Sequence, residues 1–107
     1  MDLSSPIHNS PAEVSVILAG ALDQYKSESL KDQMLNAIAD QVGDQQRILI
    51  DMTAVDHIDA SCLQVLLAST KGQKTKKLAI TGAIPSVRQW IRIAGADELF
   101  DFSEGNE

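Results

Sequence analysis

The sequence alternates short apolar runs with amphipathic stretches of helical period, and this alternation is what most restricts the folds open to the chain. Residues 14–18, 47–52 and 77–82 have the apolar, β-branched composition of buried strands. Each run is followed by a segment whose apolar residues recur at helical spacing. The order strand, helix, strand, helix, strand, helix (βαβαβα) predicts an α/β fold with a mostly parallel sheet and helices packed on it.

The helical segments have their own start and stop signals. Asp23 is a candidate N-cap for the first helix, Pro85 suits the first turn of the third, and residues 99–102 can form a last short strand. The predicted apolar faces are Leu30, Met34, Leu35, Ile38 and Val42 in the first helix, Leu63, Leu66, Leu67 and Thr70 in the second, and Val87, Trp90, Ile91 and Ala94 in the third. A glycine is predicted to end each helix: Gly43, Gly72 and Gly95.

The length of 107 residues allows one compact domain, which we expect over residues 13–102. Residues 1–12 contain Pro, Ser and Asn and are predicted to be a lead-in with little regular structure, and residues 103–107 are predicted to be a polar tail. We find neither a secretory signal nor an apolar run of about 20 residues that could span a membrane. The single cysteine, Cys62, fits a reducing compartment, so a cytoplasmic location is expected.

The formal net charge of −6 argues against two classes of partner. The phosphate backbone of a nucleic acid and an anionic membrane surface would both repel such a chain, so we expect neither nucleic-acid binding nor direct membrane insertion. The clustered basic residues fall between two apolar segments and are interpreted as a solvated loop. They are Lys71, Lys74, Lys76 and Lys77.

The motifs of the common enzyme classes are missing from the sequence. There is no Gly-rich phosphate loop, and neither His8 nor His57 has metal-ligand spacing to Cys62. Ser61, His57 and Asp56 can be written as a catalytic triad, but residues so close in sequence seldom adopt triad geometry. We therefore predict a protein that is not an enzyme and that has no metal and no cofactor, with His57 in a solvated loop.

Asp51 occupies the position that the phosphoacceptor has in a response-regulator receiver, directly after an apolar run. A receiver also needs carboxylates at the end of its first strand to hold magnesium, and Ala19, Gly20 and Ala21 stand there instead. Asp51 is therefore interpreted as a turn or cap residue.

Residues 55–67 contain the most informative pattern. They are predicted to begin as a loop and to become an amphipathic helix, with Ser61 and Gln64 matching the Ser-x-x-Gln capping box. Two interpretations of Ser61 stay open. In the first it is only an N-cap, worth ~1 kcal/mol. In the second a phosphate added to Ser61 is held at the positive helix N-terminus and repels a partner docked there.

Four features, in this order and spacing, resemble the STAS family, which includes the anti-sigma factor antagonists. They are residues 18–23 (Leu-Ala-Gly-Ala-Leu-Asp), the strand at 47–52, the loop and helix at 55–67, and a C-terminal helix that ends near Gly95 before Leu99 and Phe100. The resemblance covers residues 13–102. It implies a mixed β-sheet with helices packed on it and a non-catalytic role in docking a protein partner.

The resemblance also implies which residues contact that partner: Asp23, Asp56, Asp59, Ala60, Ser61, Cys62, Leu63 and Gln64. In the phosphorylated members the acceptor directly follows the motif aspartate. Asp59 matches that aspartate, so the acceptor position is Ala60, which has no hydroxyl, and Cys62 replaces the usual Gly. Ser61 is left as the phosphorylation candidate. Either Ser61 has taken over the phosphoswitch or the protein binds its partner constitutively, and we favour constitutive binding.

The partner implied by the resemblance is a signalling protein, such as an anti-sigma or histidine-kinase-like ATPase domain. The pattern at residues 59–68 is similar to that of members associated with chemotaxis. The alternative is a cytoplasmic accessory subunit of a lipid-transport ATP-binding-cassette (ABC) system, which would use the same surface. Cys62 is expected to be a small helix-start residue, with redox sensing as the alternative because a helix N-terminus lowers a thiol pKa.

Overall fold

A computed structural model describes residues 13–41, 47–71 and 78–103, except for the side chain of Ser103. The elements, in chain order, are β1 (Glu13–Leu22), α1 (Ser27–Asp40), β2 (Arg47–Ile58), α2 (Ala60–Thr70), β3 (Leu78–Thr81), α3 (Pro85–Ile93) and β4 (Phe100–Ser103). A 3₁₀ turn, Gln24–Lys26, precedes α1, and another, Asp97–Leu99, precedes β4. The predicted lead-in, the helix ends at Gly43 and Gly72, and most of the lysine cluster and polar tail lie outside the described residues.

The described strands form one sheet in the order β1-β2-β3-β4, and all of its pairings are parallel. A parallel pair needs a crossover connection, and α1, α2 and α3 lie in the three connections. The predicted α/β class, the alternation of strand and helix and the last short strand are therefore confirmed. The antiparallel pairing that a mixed sheet includes is not found among the described residues.

One face of the sheet forms the hydrophobic core. The registered row Val16, Ile50, Ile80 and Phe102 crosses all four strands, and its first three side chains are at most 6% exposed. Side chains from the three helices pack on this face and belong to the same core cluster: Leu30, Met34, Leu66, Val87 and Ile91. This burial follows from the spacing of apolar residues in the sequence. Alternate side chains of a strand share one face, side chains about 3.6 residues apart share one face of a helix, and these apolar faces pack together.

The opposite face of the sheet is more polar. Arg47 lies there and donates hydrogen bonds to a carboxylate oxygen of Glu13 at 3.1 Å and to one of Asp101 at 3.3 Å, which links β1, β2 and β4. Ile17 on this face is 69% exposed. Because these ion pairs are partly exposed, each contributes only about 0–1 kcal/mol.

β2 is twice as long as predicted, because it continues through Asp51 and His57 to Ile58. The inward side chains follow period 2 through Met52, but the next two are Val55 and Ile58, three residues apart. The cause is a pair of register shifts between β1 and β2, which break the alternation of side chains. The predicted loop at 55–58 is therefore wrong, and so is a loop position for His57, although His57 is exposed. Asp51, interpreted as a turn or cap residue, lies within β2, and its Oδ1 accepts a hydrogen bond from the N–H of Thr53 at 2.9 Å, as in an Asx turn.

β1 and β2 project beyond the rest of the sheet as a two-stranded ribbon. β2 pairs with β3 only as far as Asp51 and Thr81, whereas its pairing with β1 continues to Ile58 opposite Leu22. β2 contributes seven further residues, 52–58, but the register shifts set them against only five residues of β1, 18–22, so at ~3.3 Å per residue of β1 the projection is roughly 17 Å long. The ribbon therefore holds its tip well away from β3 and β4.

A close backbone approach stabilises the base of this ribbon. Gly82 follows β3 with a φ of +77°, and a Cβ there would lie 2.9 Å from both the backbone N and the Cα of Thr53 in β2. Only glycine fits this left-handed, crowded position without strain. Among residues 13–41, 47–71 and 78–103, no helix is long and apolar enough to cross a membrane.

Candidate functional site

Two aspartates lie side by side at the tip of the ribbon. Asp23 follows β1 and Asp59 follows β2, and the strands pair up to these residues through Leu22 and Ile58. Oδ1 of Asp23 accepts a hydrogen bond from the N–H of Tyr25 at 3.0 Å. The predicted N-cap role of Asp23 is confirmed, on the 3₁₀ turn that leads into α1.

Asp59 is the N-cap of α2. Its Oδ1 accepts hydrogen bonds from the N–H of Ser61 at 3.0 Å, the N–H of Cys62 at 3.2 Å and the hydroxyl of Ser61 at 2.7 Å. The prediction that Ser61 caps the helix in a capping box with Gln64 is wrong, because Asp59 already satisfies the free N–H groups of the first turn. Ser61 is instead the second residue of α2, with its hydroxyl directed back to Asp59.

The Asp59 carboxyl has a lowered pKa. The hydroxyl of Ser61 is the largest cause, the N–H groups of Cys62 and Ser61 and the charge of His57 lower it further, and burial opposes them. Asp59 is therefore ionised at neutral pH, with its negative charge at the positive end of the α2 dipole.

We expect Asp59→Asn to destabilise the fold more at pH 7 than at pH 3. A carboxyl whose pKa is lowered on folding stabilises the protein above its unfolded value, near 3.8, and this stabilisation is lost as the pH falls through the lower folded value. Asn still offers an acceptor to the first turn but does not titrate. Urea unfolding of both proteins at the two pH values measures the difference. A gap in unfolding free energy that does not change with pH would contradict a role for the charge.

Cys62 links the start of α2 to the segment that follows β1. It is completely buried, and its Sγ donates to the carbonyl oxygen of Asp23 at 3.2 Å, while the N–H of Asp59 donates to the carbonyl of Leu22 at 3.0 Å. Burial raises the pKa of the Cys62 thiol, and the carboxylates of Asp59 and Asp23 raise it further. A redox-reactive cysteine needs the opposite, an accessible thiol with a lowered pKa. The geometry therefore supports the structural interpretation of Cys62.

The residues predicted to contact a partner separate into two groups. Cys62 and Leu63 are 0% and 5% exposed, because they lie on the face of α2 that packs on the sheet. The prediction that their side chains contact a partner is therefore corrected: they belong to the core. The others are exposed or partly exposed at the tip of the ribbon. We call them the tip surface: Asp23, Asp56, Asp59, Ala60, Ser61 and Gln64.

An open groove of about 480 Å³ leads away from the tip surface, between α1 and α2. Ser27, Ser61 and Gln64 line the end near the tip, Val65 lies between the ends, and the far end is lined by Leu35, Ile38, Ala68 and Ser69. The groove was not predicted, because the sequence shows that each helix has an apolar face but not how closely two helices approach.

Two exposed hydrophobic residues, one beside the tip surface and one on the wall of the groove, were also missed. Tyr25 is 84% exposed in the 3₁₀ turn, and Leu35, predicted to be part of the buried face of α1, is 54% exposed on the wall of the groove. The signal available for Tyr25 is its place between the polar residues Gln24 and Lys26, directly after the candidate N-cap Asp23 and before the apolar face of α1 begins at Leu30. No local signal distinguishes Leu35 from its buried neighbours.

The tip does not assemble a catalytic group. The hydroxyl of Ser61 donates to Asp59 and not to His57, so the triad written from Ser61, His57 and Asp56 is not formed. In the part of the chain that the structure describes, no three His, Cys, Asp or Glu side chains are placed to hold a metal ion. The geometry at the tip consists of two capped helix starts and an exposed surface.

Comparisons with known proteins agree with this fold. Residues 7–101 match the family model described as "Mlab, STAS domain". The structure is similar to that of the anti-sigma factor antagonist SpoIIAA in its unphosphorylated form, with a TM-score of 0.70 and 16% identity over 89% of this chain and 83% of that chain. At this identity the second match shows a common fold. Since the family model covers nearly the whole chain, the protein is a member of the STAS domain family.

Proposed function

We propose that the chain is a non-catalytic docking module that binds the ATPase domain of a signalling partner through the tip surface, and binds it constitutively. The observation that carries this proposal is the combination of Ala60 and Ser61 at the start of α2. Ala60, at the family's acceptor position, is exposed and has no hydroxyl, and the Ser61 hydroxyl is already hydrogen-bonded to Asp59 at 2.7 Å. The STAS family and the fold shared with an anti-sigma factor antagonist support a regulatory partner.

A phosphate on Ser61 is poorly accommodated by this geometry. It would replace the hydrogen bond from Ser61 to Asp59 and would place about 1.5 to 2 further negative charges beside an ionised carboxylate. The N–H groups that usually hold an anion at a helix start are those of Ser61 and Cys62, and Asp59 already occupies both. Constitutive binding therefore fits better than a Ser61 phosphoswitch.

Surface exposure supports the tip as the contact region. Asp56, Ala60 and Gln64 are exposed on it, and Tyr25 is 84% exposed at its side. Aromatic residues are enriched among the few that dominate binding energy at protein interfaces. Tyr25 is thus the side chain best placed to be inserted into a partner.

The proposal is tested with Ala60→Asp and a matched control, Ala39→Asp. Both alanines are exposed in helices, but Ala39 is in the last turn of α1, away from the tip. An aspartate in the first turn of α2 is favoured by the helix dipole, so the Ala60 variant should stay folded. Binding is measured by calorimetric titration with purified ATPase domains from the organism that encodes the protein. Two kinds of domain are tested, histidine-kinase-like domains and ABC domains.

We expect one kinase-like ATPase domain to bind, Ala60→Asp to weaken binding at least about tenfold, and Ala39→Asp to bind like the wild type. Failure of every ATPase domain to bind would overturn the proposal. Unchanged binding by Ala60→Asp would also overturn it. So would the finding that Ser61 is phosphorylated in protein isolated from cells and that the phosphorylated protein no longer binds.

An accessory subunit of a lipid-transport ABC system is the second candidate. Ala60 is compatible with it too, because a permanent subunit has no need of a phosphoacceptor. The same titrations decide between the two candidates. An accessory subunit of a transporter is expected to bind the ABC ATPase domain and not to bind the kinase-like ATPase domain.

A further inference from the structure

We propose that the groove between α1 and α2 receives one amphipathic helix of the partner, about three turns long, with a basic side chain at the end that lies over the tip surface. The inference rests on the proposed docking function and adds the chemistry that the partner must present. It follows from the length of the groove, its apolar far end and the charge at its near end.

The length of the groove sets the length of the occupant. α1 and α2 each follow a strand of the same parallel sheet, and the groove between them extends along α1 from Ser27 to Ile38. The difference of eleven positions, 38 minus 27, at ~1.5 Å each is roughly 16 Å, or about three helical turns. An open volume of about 480 Å³ over this distance accepts a row of side chains from one helix.

The far half of the groove is mainly apolar, with nothing packed on it in the described chain, and the hydroxyl of Ser69, which also lines it, donates to the carbonyl oxygen of Val65 at 2.9 Å. Met34, 1% exposed, forms its floor, Ile38 and Val65 are partly buried in its walls, and Leu35 is 54% exposed. A helix that places apolar side chains at i, i+3 or i+4, and i+7 along such a groove buries them without requiring the groove to move. This mode of binding would cover Leu35.

Excess negative charge adjoins the near end of the groove, on the tip surface. The groove lining itself is balanced by Glu28 and Lys31, whereas the tip adds the carboxylates of Asp23, Asp56 and Asp59 beside the ammonium group of Lys26. Lys26 is directed away from the groove, with its Nζ donating to the carbonyl oxygen of Ala19 at 3.3 Å. Asp59 stays ionised, because its pKa is lowered. A lysine or arginine at this end of the partner helix is therefore favoured by charge complementarity.

The test compares groove variants with matched controls outside the groove. Leu35→Gln is paired with Ile93→Gln, because both side chains are exposed aliphatics on helices, 54% and 69% exposed. Ala68→Glu, in the groove, is paired with Ala39→Glu, which is outside it, because both alanines are exposed near the end of a helix. The probe is the purified ATPase domain that binds the wild type, titrated by calorimetry.

We expect Leu35→Gln and Ala68→Glu to weaken binding at least about tenfold and both controls to change it less than about twofold. Glu28→Gln should reduce the dependence of the affinity on sodium chloride. Hydrogen–deuterium exchange of the ATPase domain should show protection in a helical segment with an apolar stripe and a basic residue.

The outcomes separate this inference from the docking proposal. If Ala60→Asp weakens binding while both groove variants bind like the wild type, the tip is the docking site and the groove inference is overturned. Protection of the ATPase domain confined to a strand or loop overturns it as well. If no ATPase domain binds the wild type, both proposals fail.

Discussion

Gly82→Ala is expected to destabilise the domain by about 2–5 kcal/mol, in two parts. An alanine at φ +77° costs about 1–2 kcal/mol of backbone strain. The new Cβ would also overlap Oγ1 of Thr53 and lie 2.9 Å from the backbone N and Cα of that residue, and such crowding costs about 1–3 kcal/mol. The pairing of Asp51 with Thr81, directly before Gly82, holds β2 and the turn after β3 together and so opposes the shift that would relieve the crowding. Urea unfolding at neutral pH measures the loss.

Gly95→Ala is the matched control for this prediction. Gly95 has nearly the same backbone angle, φ +75°, but a Cβ there would have no atom within 4 Å. The free energy of unfolding of the control should therefore fall only by the cost of backbone strain, about 1–2 kcal/mol. Equal losses in the two variants would show that the approach to Thr53 does not contribute, and that the base of the ribbon can adjust.

Leu63→Asp is expected to abolish cooperative folding. Leu63 is 5% exposed in the core cluster, and a carboxylate there would have no partner to offset its lost hydration. Burying an unpaired charge costs several kcal/mol in addition to the lost apolar packing. A domain of this kind has only about 5–15 kcal/mol of stability in total. Circular dichroism against urea concentration should show no native baseline.

The control variants for Leu63→Asp are Leu63→Met and Gln64→Asp. Methionine keeps the apolar volume and should cost less than about 1.5 kcal/mol. Gln64, the next residue, is exposed, so a carboxylate there should leave unfolding nearly unchanged. A cooperative transition at the wild-type midpoint in Leu63→Asp would show that Leu63 is not in the core. Loss of partner binding by Leu63→Asp reports unfolding, so it does not test docking.

The strand and helix order could be predicted because it depends on periodicity, which is local. β2 shows where this stops working. Its first inward residues alternate through Met52, but the register shifts move the next inward positions to Val55 and Ile58. Inward residues that are three positions apart do not show the alternation of a regular strand. The sequence of such a strand therefore cannot be distinguished from that of a loop or a helix. The polar residues Asp56 and His57 strengthened the wrong interpretation.

The candidate site was predicted in location but not in detail. Asp59 and Ser61 are both good N-cap residues, and only the true end of β2 at Ile58 decides that Asp59 is the one used. Leu35 fits the apolar face of α1 by spacing, yet it is exposed because α2 does not reach it. Both details depend on how elements distant in sequence are arranged, which local patterns do not encode.

The projecting ribbon determines how the protein can be tethered. Glu13 begins β1 about 30 Å of strand away from the tip, since β1 has ten residues at ~3.3 Å each. Ser103 pairs with Thr81, level with Asp51 and Ile17 at the base of the ribbon, and so lies roughly 17 Å short of the tip. A fluorophore, a sensor surface or a second domain joined beyond either of these residues therefore attaches to the body of the domain. The tip surface therefore stays accessible when the body of the domain is immobilised.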